Sequence, residues 1–76
     1  MYLEPSPLSA KLWIRNVFAS KTAMDGGVVR RKSSDVARIV GRERFLDEIE
    51  RRGFRALENS GQIIVICNTD PIRMLR

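Results

Sequence analysis

Residues Ile63-Ile64-Val65-Ile66-Cys67 are apolar at every position. Successive side chains of a strand point to opposite faces, so a strand with one wet face alternates apolar and polar. This one does not, and a chain of 76 residues has little material to cover it on both sides. The feature demands a sheet in which this strand is central, with helices on one face and a further cover on the other.

The segments around it supply that sheet. Val28 to Lys32 is a short β-branched run bounded by Gly26-Gly27. Phe54 to Glu58 alternates, with Phe54, Ala56 and Glu58 on one face and Arg55 and Leu57 on the other. Between these two, Ser33-Ser34-Asp35 reads as a helix cap and Gly53 as a stop, which predicts a helical segment over 34–52. Its apolar stripe changes side: Val36, Ile39 and Val40 point one way, Phe45 and Ile49 nearly opposite. The change falls at Gly41, a poor helix former, so the helix bends there or two short helices meet. The order is β-α-β-β. With the least polar strand inserted between the other two, the expected fold is α+β, a small three-stranded split βαβ sheet with one bent helix.

Asn59-Ser60-Gly61 is turn chemistry, and a three-residue loop with Gly61 in the left-handed position is the expected closure. That register sets Ala56 opposite Ile64 and Leu57 opposite Ile63; a two-residue Ser60-Gly61 loop shifts every pair by one. After Asn68, Thr69-Asp70-Pro71 turns the chain, and Ile72, Met74 and Leu75 form a short apolar tail able to dock on the sheet.

Residues 1–27 differ in character and are separated from a small α+β domain over 28–76. A helix is expected from about Leu8 to Ser20, capped by Ser6, with Pro7 in its first turn. It is read as a docked helix, a flexible leader with Met24 as an alternative start, or a basic membrane-surface helix. Leu12, Trp13, Ile14, Val17 and Phe18 make it the nearest cover for the second face of the 63–67 strand. A symmetric dimer joined through the sheet faces is the other.

One cysteine and no histidine exclude a disulfide framework and the usual zinc constellations, and remove the commonest general acid–base. No phosphate-cradling glycine motif or Cys-x-x-Cys spacing occurs. Cys67, at the end of an apolar strand, reads as a small buried hydrophobe. An enzyme is not expected, nor a cofactor or a metal. The lone thiol suits a reducing, cytoplasmic setting, and no apolar run approaches a transmembrane span.

The net charge of +5 points to an anionic partner. The excess is uneven. Residues 1–32 carry a net +4, whereas 33–60 hold six basic and six acidic groups. Within the helical segment Arg44–Glu48, Asp47–Arg51 and Glu48–Arg52 stand four apart with opposite signs, the pattern of a self-paired solvated face. A helix-turn-helix is a poor fit: Ala37 and Gly41 suit its bend, but Asp47 and Glu50 fall where its second helix buries apolar residues. The remaining candidates for a nucleic-acid contact are Arg30, Arg31, Lys32 and Arg55, on strands. Their competing role is to protect a sheet edge from pairing with another chain. Phe54 is the only strand aromatic, so the stacking platforms of single-strand readers are missing.

The run Arg51-Arg52-Gly53-Phe54 followed by a hairpin resembles, over roughly residues 33–68, small double-stranded-RNA-binding-like toxins of bacterial toxin–antitoxin pairs. Those toxins depend on a strand histidine that this chain lacks, so no site residue is carried over. Two functions are therefore expected of the chain. The first is a small basic accessory module that binds DNA or RNA through a basic strand or sheet edge. The second is a non-enzymatic interaction module that forms a homodimer or docks on a larger protein through its sheet face.

Overall fold

The computed structural model describes residues 7–76. Helix α1 (Pro7–Ala19) and a single turn, α2 (Lys21–Met24), lead into strand β1 (Val28–Lys32). Helices α3 (Ser33–Ile39) and α4 (Arg42–Arg51) follow, then the hairpin of β2 (Arg55–Asn59) and β3 (Gln62–Ile66). The sheet order is β1-β3-β2, with β3 antiparallel to both neighbours. The fold is thus α+β, and the least polar strand is the central one.

The helical segment resolves into two helices meeting at Gly41, whose φ of +93° few side chains tolerate. This corner lets both halves of the broken stripe reach one core, with Val36 from α3 and Phe45 and Ile49 from α4 all buried. At the other end of α4, Gly53 takes φ +75° and its N–H donates to the Glu50 carbonyl, while the Phe54 N–H donates to that of Ile49. These are the two bonds of a Schellman stop. The start of α3 departs from expectation. The residue preceding it is Lys32, which makes no side-chain cap, and Ser33 already lies within the helix. Its hydroxyl donates instead to Glu58 on β2 at 2.7 Å.

The hairpin loop is also shorter than expected. Asn59 pairs with Gln62, Leu57 with Ile64 and Ala56 with Val65, which leaves the two-residue loop Ser60-Gly61. Both take positive φ, 49° and 75°, as a type I′ turn requires, because its twist matches that of the flanking strands. Backbone geometry outweighs the side-chain preference against Ser60 in a left-handed position.

All the described helices lie on one side. Ile63, Val65 and Cys67 share a buried cluster with Val29, Val36, Phe45, Ile49 and, from the N-terminal segment, Ile14, Val17, Phe18 and Ala23. Trp13 meets Phe45 edge-on at 5.8 Å, and Phe18 stacks near Phe45 at 6.1 Å. Helix α1 therefore deepens the cover on the first face of β3 and leaves the second uncovered, contrary to the expectation that it would close that face. The C-terminal tail does not close it either: residues 69–76 are exposed, with Met74 and Leu75 each 82% accessible. The expected Ser6 cap lies outside the described residues.

Candidate functional site

Across an antiparallel sheet, residues directly opposite one another project to the same face. The register places Val28, Ile66 and Arg55 in one row, Arg30, Ile64 and Leu57 in the next, and Lys32, Gln62 and Asn59 in the third. These nine side chains form the outer face. Ile64 and Ile66 are half-buried at its centre, with Val28 47% and Leu57 52% exposed beside them. Arg30, Lys32 and Arg55 are exposed at the flanks. None of the nine is acidic.

Three of the four cations singled out in the sequence thus share one face. Arg30 and Lys32 stand about 7 Å apart along β1, and Arg55, two strands across in the row of Val28, lies about 12 Å from Arg30 and about 17 Å from Lys32. Arg31 does not join them. It shares the helix-side face with Ile63, is half-buried, and its guanidinium donates to the Arg30 carbonyl at 2.6 Å. Arg55 donates to the Gly53 carbonyl at 3.4 Å, a long contact that leaves most of its fork open. Arg30 and Lys32 form no ion pair among the described residues.

The glycine pair before β1 forms no anion cradle, because both of its N–H groups are already spent: Gly26 donates to the Ala23 carbonyl at 3.0 Å and Gly27 to that of Thr22 at 2.9 Å. Their carbonyls accept in turn from the Asn68 side-chain amide and the Cys67 N–H, both at 2.9 Å. Cys67 itself is buried, its thiol 3.8 Å from the Val65 carbonyl, and burial pushes its pKa up. A buried thiol with a raised pKa is a weak nucleophile. No group of three His, Cys, Asp or Glu that could hold a metal ion occurs among the described residues, and no described helix is long and apolar enough to cross a membrane.

A second basic region escapes a reading of the sequence. Between α1 and α4 runs a groove of about 420 Å³, lined by Lys11, Ile14, Arg15, Arg44, Glu48, Arg51 and Arg52. Of the three four-residue pairs expected in this segment, Glu48–Arg52 forms, whereas Arg44–Glu48 and Asp47–Arg51 do not. Glu48 takes both Arg51, through Nε at 3.1 Å and a terminal nitrogen at 2.6 Å, and Arg52, through Nε at 2.9 Å. The Arg51 fork, assisted by Arg52, holds the Glu48 carboxyl below its usual range although burial opposes it. Among the described residues Arg44 is left without a carboxylate, as are Lys11 and Arg15 across the groove. The available signal was the i,i+4 placement of Lys11 and Arg15 around Ile14, on a segment rich in positive charge.

Compared with known proteins, the chain matches no family model, no curated protein and no solved structure.

Proposed function

We propose that the chain is a small nucleic-acid-binding module that contacts the phosphate backbone through the outer sheet face. The supporting observation is segregation of charge: Arg30, Lys32 and Arg55 share a face that carries no carboxylate of the described residues. Glu58, the acid nearest to it in sequence, is bound to Arg42 and Ser33 on the helix side of the sheet. Phosphate contacts fix position and carry no sequence information, and the face has no aromatic on which a base can stack. Binding of this kind is indifferent to sequence and steeply dependent on salt.

The apolar centre of the same face favours a second reading, a homodimer or a protein partner seated on Val28, Leu57, Ile64 and Ile66. A two-fold dimer through these faces brings Arg30, Lys32 and Arg55 of both copies together, and that like-charge repulsion weighs against it.

Retention of labelled DNA and RNA on a filter separates the readings. Three neutralised phosphates give a slope of log affinity against log salt of about −2.7 for duplex DNA and about −2 for single strands. A single substitution removes only one of the three contacts and is a weak test. The joint change Arg30→Ser, Lys32→Ser and Arg55→Ser is expected to abolish retention without altering the melting temperature. No retention at micromolar protein and low salt sinks the nucleic-acid reading. A sedimentation coefficient that rises with protein concentration, and more so at high salt, supports the dimer.

A further inference from the structure

The groove between α1 and α4 carries three cations, Lys11, Arg15 and Arg44, with no carboxylate partner among the described residues. On α1, Lys11 and Arg15 stand one turn apart beside Ile14, and on α4, Arg44, Glu48, Arg51 and Arg52 line the opposite wall at spacings of four, seven and eight residues. Five cations therefore face one carboxylate. That carboxylate is committed to Arg51 and Arg52, and the Arg52 guanidinium also lies 4.3 Å from the centre of the Phe18 ring. Glu48 thus orients both forks; it occupies the Nε edge of Arg51 and the Nε of Arg52, and the remaining terminal nitrogens are the donors left for an oxyanion. Bringing cations on two packed helices to one cleft is unfavourable unless an anion or solvent screens them.

The dimensions restrict the anion. Along α4, Arg44 and Arg52 are about 12 Å apart. The groove's volume of about 420 Å³ lies within the range of small-ligand pockets. We infer that this groove binds a small molecule bearing two or three linked phosphoryl groups, such as a nucleoside diphosphate or triphosphate, with Arg44, Arg51 and Arg52 on one side and Lys11 and Arg15 on the other. The groove lies in the helical layer, so it stands or falls independently of the outer sheet face.

Calorimetric titration of the full chain at low salt with inorganic tripolyphosphate, ATP, inorganic monophosphate and a short single-stranded oligonucleotide tests the assignment. Saturable 1:1 binding of tripolyphosphate and ATP is expected, at least tenfold tighter than monophosphate. Lys11→Ser combined with Arg44→Ser is expected to weaken it at least tenfold. Arg44→Lys, which keeps the charge and removes the fork, should weaken it several-fold. The sheet-face triple variant should bind tripolyphosphate as the parent does. ATP binding tighter than tripolyphosphate assigns the ligand as a nucleotide; equal affinities assign the oligophosphate alone. The inference is overturned by absence of heat at millimolar tripolyphosphate and ATP, by monophosphate binding equally well, or by equal loss in the sheet-face variant. It is also overturned if the oligonucleotide binds the groove more tightly than tripolyphosphate and loses that binding in the Lys11/Arg44 variant.

Discussion

The two faces of β3 present the same chemistry to different surroundings. On the helix side Ile63, Val65 and Cys67 are 2%, 0% and 3% exposed. On the other side Ile64 and Ile66 are only half-buried, and their cross-strand neighbours are Arg30, Leu57, Val28 and Arg55. Aliphatic content alone therefore does not say which face is core. Helices α1, α3 and α4 all pack on the side that holds Phe45 and Val36, and nothing among the described residues packs on the other. The contrast extends to charge. Glu48 in the helical layer and Glu58 on the helix side of β2 are paired to arginines, whereas the charged groups of the outer face are all cations. A net charge says little about a partner until the acids have been located.

The largest test of this contrast removes α1. A chain beginning at Met24 loses Ile14, Val17 and Phe18 from the core, together with the Trp13 contact to Phe45. Full burial of such a side chain contributes roughly 1.5–3 kcal/mol, and the stability of a whole domain is about 5–15 kcal/mol. The shortened chain is expected to show no cooperative thermal transition by circular dichroism. An unchanged melting temperature would mean that the sheet, α3 and α4 are self-sufficient and that α1 adds nothing to the inner face.

A finer test compares neighbours on one strand. Ile63→Ala is expected to cost about 2–5 kcal/mol, since it leaves a cavity in the cluster that holds Phe45 and Val36. Ile64→Ala, on the half-open face, should cost about 1 kcal/mol or less. Urea unfolding midpoints measure both. Equal costs would show that the outer face is covered in solution, and concentration-dependent unfolding of the parent would then identify a second copy as the cover.

Much of this architecture was legible because it rests on local pattern. The central place of β3 followed from its lack of polar residues, the corner at Gly41 from the reversal of the apolar stripe, and the end of α4 from Gly53. The hairpin register was not legible. Asn59-Ser60-Gly61 allows either loop length, and Ser60 is an unfavourable residue for the φ of 49° that it adopts. Local preference pointed to three residues, while strand twist selects two. The outer face was half legible: Arg30, Lys32 and Arg55 stood out, but Arg31 was grouped with them because residue counting ignores the alternation that sends it to the helix side. The groove was not legible, because it exists only where α1 meets α4. Counting in steps of four assigned Arg44 to Glu48, a carboxylate that in the folded chain is taken by Arg51 and Arg52.

The smallest expected effect concerns the one acid of β2, which the register places on the helix side of the sheet, and it tests whether its charge pairing there contributes to stability. Glu58 accepts two hydrogen bonds from Arg42, at 2.8 and 2.9 Å, and one from Ser33 at 2.7 Å. The Arg42 fork, with Ser33, holds its carboxyl down at about 2, against an ordinary value of 4.5. A carboxyl whose pKa is depressed on folding stabilises the folded state above its unfolded pKa, and that contribution disappears as pH falls through the folded value. The window is therefore pH 4.5 down to about 2. Both side chains are exposed, so water and salt screen the pair and the effect on stability is small. Glu58→Gln is expected to lower the melting temperature slightly at pH 7, with the difference from the parent shrinking below pH 4.5 and also shrinking at high salt. A difference that stays constant across that window would show that Glu58 acts through packing beside Ser33 and not through its charge.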